Sequence, residues 1–514
     1  MRLRLRWWRL LRKSLMASVV VLVCIGGGLA YALSRSSSST RSGSYTGTVS
    51  GATVANISSA SSGTIPSGYL GLSFEIRGIE SYTGTDAHAI NPVFEQLIRN
   101  LAPGQRPVLR IGGDSTDETW YPYRKGAHPV GVRFTLPSSW FSTVRALVQG
   151  VDGRLILGVN LEQDSTAVAS SEARAFESKI GSQYIEALAL GNEPELYHGL
   201  AWYSIHGVKY YGRPAGWDFS EYLSNYNQIL RSMPKTVLAG PDEGGPAWIP
   251  ELGTYLASEP RVKILTIHRY PLKECTPSEH ATIAQLLSSS STRGYAAGLA
   301  GVVATARRHG VTFRLDEMNS VSCGGENGVS DTFASSLWAL DAMFELAHAG
   351  VGGVNVHTRA VPNQLFTFTQ SHGQWAGDVK PDYYGLLAFA QAAPPGSSLL
   401  KVSGFGSGQI HIYATRAPDG TEHVVLINMA SKGSERIDVK IGSSATAGTL
   451  ERLTAPSLAA TGHVSLGGQS FAANTSTGQL TGTPSTTTVS RGKDGGYSVP
   501  LPAASAAILT LPAS

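Results

Sequence analysis

Cysteine and charged residues are scarce in this chain. Only three cysteines occur among 514 residues, and Asp, Glu, Lys and Arg together make up 15%, compared with about a quarter in average proteins. The sequence has no His/Cys spacing typical of a zinc site, and no glycine-rich phosphate loop follows a predicted strand. We therefore expect neither a metal nor an organic cofactor.

Excess positive charge is absent from most of the chain, although the formal net charge is +4. Residues 1–13 hold a cluster of arginines and one lysine without any acid, and the remainder has slightly more acidic than basic residues. A protein that binds nucleic acid normally presents a basic surface. The charge distribution therefore argues against a nucleic-acid partner, and the composition is typical of exported hydrolases.

An apolar run, residues 15–33, follows the basic start and predicts export from the cytoplasm. Ala30-Tyr31-Ala32 fits the cleavage site of a signal peptide, but the run is also long enough for one uncleaved membrane span. Residues 1–33 are thus either a signal peptide or a membrane anchor, and the serine-rich residues 34–45 are predicted to be a flexible tether. In both cases we expect an extracytoplasmic protein, secreted or anchored by a single N-terminal span.

Residues 69–395 alternate between strand-like and helix-like segments, a pattern typical of parallel β/α units. The predicted strands are short and apolar, as expected for strands buried on both faces. They are residues 70–75, 107–111, 154–160, 185–190, 236–239, 263–268, 312–316 and 353–357. This pattern predicts an α/β fold, a (β/α)8 TIM barrel whose longest loops follow strands two, four and six.

Amphipathic helices are predicted between these strands. They cover residues 91–101, 218–233, 295–309, 331–349 and 382–392. Asp218, Asp331 and Asp382 are expected to be N-caps, because their carboxylates can accept hydrogen bonds from free backbone N–H groups. Gly310 and Gly350 are expected to end two of the helices.

Residues 396–514 change to period-two runs separated by turn residues, which predicts a β-sandwich domain. Residues 409–414 and 423–428 are examples of such runs. The segment 46–68, before the barrel, also alternates. We therefore expect it to supply one or more N-terminal strands to the same domain, which would make that domain discontinuous.

Two of the three cysteines are candidates for a disulfide. Cys24 lies within the apolar run, whereas Cys275 and Cys323 follow predicted strands six and seven. Loops after neighbouring strands share one rim of a barrel, so a bond between these two cysteines is expected in an oxidising compartment. Two unrelated free thiols are the alternative.

Two glutamates end predicted strands at the rim where barrels of this type place their active sites. Glu193 follows strand four, and Glu317 follows strand seven. Two carboxyl groups about 5–5.5 Å apart suit cleavage of a glycosidic bond with retention of configuration. Glu317 would then attack the anomeric carbon, and Glu193 would act first as acid and then as base. The alternative is that each glutamate only ends a strand or begins a helix.

The other strand ends supply candidate sugar contacts. These are Glu75, Asp114, Asn160, Asn192, His268, Tyr270 and Arg359. Asn192 is expected to bind the sugar hydroxyl next to the anomeric carbon, and Tyr270 or His268 to keep Glu317 ionised.

Four further polar residues near the strand ends have less specific roles. Arg110 is either a buried ion-pair partner of nearby carboxylates or a direct substrate contact. Asp242 and Glu243 are expected to be loop acids without a catalytic role. His357 is expected to be a structural histidine.

Several of these motifs together resemble glycoside hydrolase family 79, the family of β-glucuronidases and heparanase-like enzymes. They are Gly191-Asn-Glu-Pro194, the stretch from Glu317 to Gly325, the stretch from Leu109 to Asp117, and Pro381-Asp-Tyr-Tyr-Gly385. The resemblance covers about residues 46–514. It implies a (β/α)8 barrel with a β-sandwich, Glu193 as acid/base and Glu317 as nucleophile. It also implies Glu75, Asp114, Asn192 and Tyr270 as sugar contacts.

The segment after strand eight departs from the family pattern. The family often presents a tyrosine and backbone amides there to the uronic carboxylate, whereas residues 357–364 contain no tyrosine. Two alternatives follow: Arg359 replaces the tyrosine as a cationic partner, or the substrate is not a uronide.

The function expected from the sequence is a retaining exo-β-glucuronidase whose partner is a carbohydrate containing uronic acid. One alternative is a retaining enzyme on a neutral β-glycoside such as a xyloside, and another is a heparanase-like endo-β-glucuronidase. The alternative from a different class is a surface carbohydrate-binding protein without catalysis.

Overall fold

The computed structural model describes residues 53–122, 128–359, 361–404 and 408–513. The predicted signal peptide or anchor, residues 1–33, and the predicted tether, residues 34–45, lie outside the described residues. Within the described ranges, no helix has the length and apolar character needed to cross a bilayer.

Parallel strands close into a barrel, which confirms the predicted α/β fold class. Among the described residues the barrel has eight strands, here numbered one to eight in chain order. They are Leu70–Glu75, Val108–Gly112, Arg154–Val159, Ile185–Leu190, Leu238–Glu243, Val262–His268, Thr312–Met318 and Gly353–His357. Their side chains are buried almost throughout, because strands of a barrel are covered by helices outside and by side chains within.

Strand five differs from its prediction. It covers Leu238–Glu243 rather than residues 236–239. A Gly-Pro pair normally indicates a strand end, but here Gly240 and Pro241 pair with Leu265 and Thr266 of strand six. Asp242 and Glu243 are consequently buried residues of a barrel strand, so the prediction that they lie in a loop was wrong.

Helices follow each of the barrel strands and form its outer layer. In chain order the helices are Glu80–Thr83, Pro92–Leu101, Ser138–Gly150, Thr166–Ala175, Phe219–Leu230, Leu252–Ser258, Ile283–Leu286, Arg293–Ala297, Ala300–Arg308, Phe333–His348 and Pro381–Ala392. Gly298 lies between two short helices where one helix over residues 295–309 was predicted. Gly310 and Gly350 follow helix ends with positive φ, as predicted.

Only one of the three predicted N-caps is confirmed. The Asp218 carboxylate accepts from the backbone N–H of Glu221 at 2.9 Å. Asp331 instead accepts from Gly328 N–H in the preceding turn, and the helix begins at Phe333. Asp382 lies inside the first turn of its helix because Pro381 occupies the first helical position, which suits a residue without an N–H.

The loops at the carboxyl ends of the strands carry small secondary structures of their own. Thr119–Trp120 pairs with Phe134–Thr135 after strand two, and Tyr203–Ile205 forms a hairpin with Val208–Tyr210 after strand four. A further long loop, after strand eight, contains the hairpin Phe366–Ser371 with Gln374–Val379. The short turns Asp114–Thr116, Ser182–Tyr184, Pro194–Leu196 and Ile249–Glu251 are 3-10 helical.

The C-terminal part of the chain forms one mixed sheet. Its strands are Ser398–Ser403, Ile410–Arg416, Glu422–Asn428, Ser434–Ile441, Ala447–Thr454, Ser465–Leu466, Thr487–Ser490, Tyr497–Pro502 and Ser505–Leu511. The N-terminal strand Thr53–Thr64 joins this sheet, antiparallel to Ser398–Ser403 and parallel to Ser434–Ile441. This arrangement confirms that a segment before the barrel completes the second domain.

The sheet packs on two barrel helices, Phe333–His348 and Pro381–Ala392. Both helices are buried nearly all round, which explains why their sequences are apolar on every side. Phe344 stacks on Tyr413 of the sheet with ring centroids 4.8 Å apart. One hydrophobic core therefore continues from the barrel into the sheet.

Candidate active site

The two predicted catalytic glutamates meet at the barrel mouth. Glu317 lies in strand seven, and Glu193 follows strand four. A carboxylate oxygen of Glu193 lies within 4.8 Å of one of Glu317. Glu193 has a positive φ of 49°, a conformation that costs a non-glycine residue about 1–2 kcal/mol, and its N–H donates to the Asp242 carbonyl at 2.9 Å. The fold thus holds this side chain in an unfavourable backbone conformation, as functional sites often do.

Hydrogen-bond donors surround the carboxylate of Glu317. Arg110 Nη1 donates to Oε2 at 2.5 Å, and the Tyr270 hydroxyl donates to Oε1 at 3.0 Å. Burial by itself would raise the pKa of Glu317, but interactions with His357, His268 and Arg110, together with the Tyr270 hydrogen bond, hold that pKa well below its usual range. Glu317 is therefore an ionised carboxylate, as a nucleophile must be.

Arg110 connects Glu317 to a buried polar network. Its side chain is 1% exposed, and it also donates to the Asn192 side-chain oxygen at 2.8 Å and to Asp242 Oδ2 at 3.1 Å. Removing one partner of a buried ion pair would leave an uncompensated charge. Each member of this network therefore holds the side chains of the others in place. Of the two predicted roles for Arg110, the structure supports the ion pair.

Asp242 is a member of this network that the sequence did not identify. Thr266 donates to its Oδ1, and Arg110 and His268 approach its Oδ2. Burial would raise the pKa of Asp242, but hydrogen bonding to His268 and the charge of Arg110 lower it. The sequence signal for this role was an acid that directly follows an apolar strand. It was missed because Gly240 and Pro241 were interpreted as the end of that strand.

His268 lies between the two glutamates. Its Nδ1 is 3.0 Å from Glu193 Oε1 and 4.0 Å from Glu317 Oε2, and the side chain is 1% exposed. Burial would lower the pKa of His268, but Glu317, Asp242 and Glu193 raise it well above its usual range. His268 therefore contacts the predicted acid, and Tyr270 is the residue that bonds the predicted nucleophile.

A second group of predicted residues lies beside this pair. Glu75 accepts hydrogen bonds from the backbone N–H and the hydroxyl of Ser115 at 2.9 and 2.5 Å. Arg359 Nη1 is 4.0 Å from Glu75 and 3.8 Å from the exposed Asp114, and Asn192 Nδ2 is 3.4 Å from Asp114. Glu75, Asp114, Asn192 and Arg359 thus form one polar cluster on the rim.

His357 links that cluster to Glu317. Its Nδ1 is 3.0 Å from the Ser73 hydroxyl and 3.6 Å from Glu317, and its Nε2 is 3.7 Å from Glu75. Burial lowers the pKa of His357, and the carboxylates of Glu317 and Glu75 oppose this effect. The ring lies between the carboxylates of Glu317 and Glu75.

Asn160 is placed apart from these groups. Its Nδ2 donates to the carbonyls of Asp117 and Thr119 at 2.9 and 2.8 Å, and its Oδ1 accepts from Gln163 N–H at 2.9 Å. These backbone partners occupy the hydrogen-bonding groups of the Asn160 side chain, and the residue is 1% exposed. Asn160 is therefore a structural residue and not a candidate ligand contact.

Asp117 positions the backbone around Asn192 and was not predicted to do so. Its two carboxylate oxygens accept from the N–H groups of Leu161, Glu162 and Asn192 and from the hydroxyl of Tyr197. These bonds join the loops after strands two, three and four. An acid within the Asp114–Asp117 motif was the only sequence signal.

The predicted disulfide between Cys275 and Cys323 is present. Its S–S distance is 2.02 Å, and it joins residues 48 positions apart. The bond links the loops after strands six and seven, which leave the barrel next to Tyr270 and Glu317.

Two groups of side chains at the barrel mouth are close enough to hold a metal ion: Glu193, His268 and Glu317, and Asp242, His268 and Asp316. Arg110 already supplies positive charge to both groups through Glu317 and Asp242. A cation at either place would face this guanidinium, so the donor sets do not favour a metal.

The sequence matches known carbohydrate-active proteins along most of its length. A model of the glycosyl hydrolase family 79 C-terminal beta domain matches residues 412–508. A beta-glucuronidase of Neurospora crassa is 25% identical over 383 residues, which are 64% of this chain and 64% of the relative. A beta-glucuronidase of Aspergillus niger is 22% identical over 499 residues, 86% of this chain and 90% of the relative. The match thus spans slightly less than two thirds of the Neurospora protein.

Solved structures share the fold. A 4-O-alpha-L-rhamnosyl-beta-D-glucuronidase from Fusarium oxysporum 12S superposes with a TM-score of 0.70 and 20% identity, covering 89% of this chain and 100% of its own. A GH51 arabinofuranosidase from Xanthomonas axonopodis pv. citri has a TM-score of 0.62 and 14% identity, with coverage of 90% and 99%. At these identities the likeness concerns the barrel and its sheet domain.

Proposed function

Because the chain belongs to glycoside hydrolase family 79, we propose that it is a retaining exo-β-glucuronidase with Glu317 as nucleophile and Glu193 as acid/base. The observation that carries this proposal is the separation of at most 4.8 Å between carboxylate oxygens of Glu193 and Glu317. Retaining enzymes hold this pair about 5–5.5 Å apart, whereas inverting enzymes leave room for a water at about 6.5–9.5 Å.

In the first step the ionised Glu317 attacks the anomeric carbon, and the bond from that carbon to the leaving oxygen breaks. Glu193 gives its proton to the leaving oxygen, so the leaving group departs as a neutral alcohol. The product of this step is a glycosyl ester on Glu317 together with a Glu193 carboxylate.

In the second step Glu193 accepts a proton from water, and the resulting hydroxide attacks the anomeric carbon. The ester bond breaks, and Glu317 leaves as a carboxylate. Arg110 and Tyr270 stabilise the negative charge that returns to Glu317, because both donate to its oxygens. The step releases the free sugar and restores both glutamates.

The glucuronide assignment rests on the names of the relatives and on the polar cluster beside the nucleophile. Arg359 is the cation nearest to Glu75 and Asp114 in that cluster. It is placed to pair with a uronic carboxylate, while Glu75, Asp114 and Asn192 offer acceptors and donors to sugar hydroxyls.

Exo action is supported by the contact between Arg359 and Asp114. This contact, at 3.8 Å, joins the loops after strands eight and two across the rim beside Glu75. A cleft that is bridged at this end accommodates one terminal sugar better than an internal unit of a polymer.

One observation favours a neutral β-glycoside as the second candidate. Arg359 already faces two carboxylates, Glu75 and Asp114, within 4.0 Å. If these acids compensate its charge fully, a uronic carboxylate gains little from the site, and an uncharged sugar would bind as well.

Chromogenic β-glucuronide, β-glucoside and β-xyloside test the substrate, and proton NMR of the first product anomer tests the stereochemistry. We expect preference for the glucuronide and an initial β-anomer, whereas an initial α-anomer would refute the retaining pair. Arg359→Gln should lower kcat/KM for the glucuronide more than for the glucoside. Equal losses would favour the neutral substrate.

Glu317→Gln tests the nucleophile. We expect loss of at least ~10³-fold in kcat, since the variant cannot form the glycosyl ester. Glu186→Gln is the matched control, because Glu186 lies near the amino end of strand four and pairs with Arg154 at 2.7 Å, away from the mouth. If both variants hydrolysed like the wild type, Glu317 would not be the nucleophile.

A further inference from the structure

Arg269 directly follows strand six and lies in the chain between two residues of the active site, His268 and Tyr270. Its backbone N–H donates to the carbonyl of Glu317 at 3.1 Å, so its main chain is attached to that of the proposed nucleophile. Its side chain is only 17% exposed. A guanidinium group carries five N–H donors and needs acceptors when it is removed from water.

The acceptors of Arg269 are backbone carbonyls of the segment after strand five. Its Nη1 donates to the Gly244 carbonyl at 2.8 Å, and its Nη2 donates to the Gly245 carbonyl at 2.5 Å. Glu195 holds the same segment, because its Oε1 accepts from the Gly245 N–H at 2.5 Å. We call Gly244, Gly245, Arg269 and Glu195 the strand-five clamp.

The strand-five clamp supports the carboxyl group of the proposed acid/base. A Cβ atom on Gly244 would lie 2.8 Å from Cγ of Glu193 and closer still to its carboxyl group, which is too close for a real side chain. Oε1 of the same carboxyl group is 3.0 Å from His268 Nδ1. Gly244 does not have a positive φ, so its backbone conformation does not require glycine. The residue must be glycine because Glu193 rests on it.

The clamp therefore connects the main chain of Glu317 to the surface on which Glu193 rests. The separation of these two carboxyl groups is decisive for a retaining glycosidase, and a displacement of about 1 Å can cost about 100-fold in rate. We infer that Arg269 is a positioning residue that sets this separation by fixing Gly244 against Glu193. The inference rests on the proposed function, because it takes Glu193 to be the acid/base.

Three variants test the clamp. Gly244→Ala should move the Glu193 carboxyl group and leave the backbone in place, because the new methyl group meets the end of a side chain. Arg269→Lys keeps the positive charge but replaces the fork that reaches two carbonyls by a single ammonium group. Glu193→Ala removes the acid/base itself and is the reference. Thermal unfolding shows that each variant is folded.

Two substrates separate the loss of acid catalysis from a general loss of activity. Phenyl β-glucuronide has a leaving group that must be protonated, whereas the leaving group of 2,4-dinitrophenyl β-glucuronide is stable as an anion. We expect Gly244→Ala to lower kcat/KM for the phenyl substrate by at least ~10²-fold and for the dinitrophenyl substrate far less. Arg269→Lys should show the same pattern with a loss of about tenfold to 100-fold. A purely structural role would lower both values equally.

Azide tests the second step of the reaction. It attacks the anomeric carbon of the glycosyl ester without losing a proton, the ester bond breaks, and Glu317 leaves as a carboxylate, so no base is required. With the dinitrophenyl substrate, azide should raise kcat of Gly244→Ala and of Arg269→Lys, and β-glucuronosyl azide should be the product. The wild type should gain little, because its Glu193 already activates water.

Gly253→Ala and Arg261→Lys are the matched controls. Gly253 lies in the helix Leu252–Ser258 after strand five, where the nearest atom to an added Cβ is 3.6 Å away. Arg261 precedes strand six and donates to the Pro234 carbonyl at 3.2 Å, at the amino end of the barrel. Both variants should keep the wild-type ratio of the two kcat/KM values and should not respond to azide.

The reference variant distinguishes the two ways of failing. If Glu193→Ala shows the selective loss and the azide rescue but Gly244→Ala or Arg269→Lys loses both substrates equally without rescue, the inference is overturned and the proposed function stands. If Arg269→Lys does not fold, Arg269→Gln, which keeps one amide donor, is measured against the same criterion. If Glu193→Ala keeps the wild-type ratio, Glu193 is not the acid/base, and the proposed function falls together with the inference.

Discussion

Tyr270→Phe tests how the site treats the charge on Glu317. The Tyr270 hydroxyl donates to Glu317 Oε1 at 3.0 Å. Burial and the nearby Glu317 carboxylate raise the pKa of Tyr270 well above its usual range, so the phenol keeps its proton and acts only as a donor. Phenylalanine removes this one donor and leaves Arg110 in place.

The two chemical steps respond differently to this loss. In the proposed mechanism, negative charge leaves Glu317 when the glycosyl ester forms and returns to it when the ester is hydrolysed. A hydrogen bond to a charged group contributes about 1.5–3 kcal/mol, and about 1.4 kcal/mol corresponds to tenfold in rate. We therefore expect ester hydrolysis to slow by about tenfold to 100-fold, while ester formation slows less.

The expected kinetic result is that kcat and KM fall together, because the glycosyl ester accumulates. A rapid-quench experiment should show a burst of about one equivalent of released leaving group, and mass spectrometry should find the sugar on Glu317. The acid limb of kcat/KM should also move to higher pH, since loss of a donor raises the pKa of Glu317 and protonation then inactivates the nucleophile earlier as pH falls.

Tyr295→Phe is the matched control for this experiment. The Tyr295 hydroxyl donates to the backbone carbonyl of Arg269, the residue before Tyr270, at 2.9 Å and does not bond Glu317. It should leave kcat, KM and the acid limb near their wild-type values. A Tyr270→Phe enzyme with a lower kcat, an unchanged KM and no burst would refute the assigned roles, because the ester step would then not be the one that depends on Tyr270.

Two further predictions concern the framework of the site. Replacing Cys275 and Cys323 by serine should lower the free energy of unfolding by about 4 kcal/mol, the loop-entropy value for a separation of 48 residues. Denaturant unfolding of the variant and of the reduced wild type should give the same lowered midpoint. An unchanged midpoint would contradict this prediction. Gly113→Ala should lower kcat/KM as well as Tm, because Gly113 has φ of 72° and a Cβ there would come within 2.6 Å of the Glu75 carboxyl group. Gly104 has φ of 66° and open space around it, so Gly104→Ala should lower only Tm, through the strain of a non-glycine residue at positive φ. An equal loss of activity in both variants would show that the position of Glu75 does not matter for activity.

Most of the barrel could be predicted because its strands have a local signal. Strands one, four and eight begin and end where the apolar runs do. Strand five could not be predicted, since Gly240 and Pro241 are turn residues by local preference. Their strand conformation is imposed by pairing with strand six, a contact that no local pattern contains.

The candidate site, like the barrel, could be predicted only in part from the sequence. Glu193, Glu317 and Tyr270 were predicted because each follows or ends a strand at the rim. Asn160 met the same criterion, but the structure places its side chain against loop carbonyls. Position along the sequence identifies the rim, whereas the direction and partners of a side chain depend on loops that are distant in sequence.

By itself the sequence determined the alternation of strands and helices, the period-two strands of the second domain, and the two glutamates at strand ends, since each of these follows from residues that are close together in the chain. Only the tertiary structure decided that Arg110 and Asp242 form one buried network with Glu317 and that Gly244 lies against the carboxyl group of Glu193. The physical reason is that charge pairing and burial depend on distances across the barrel, which are set by its closure.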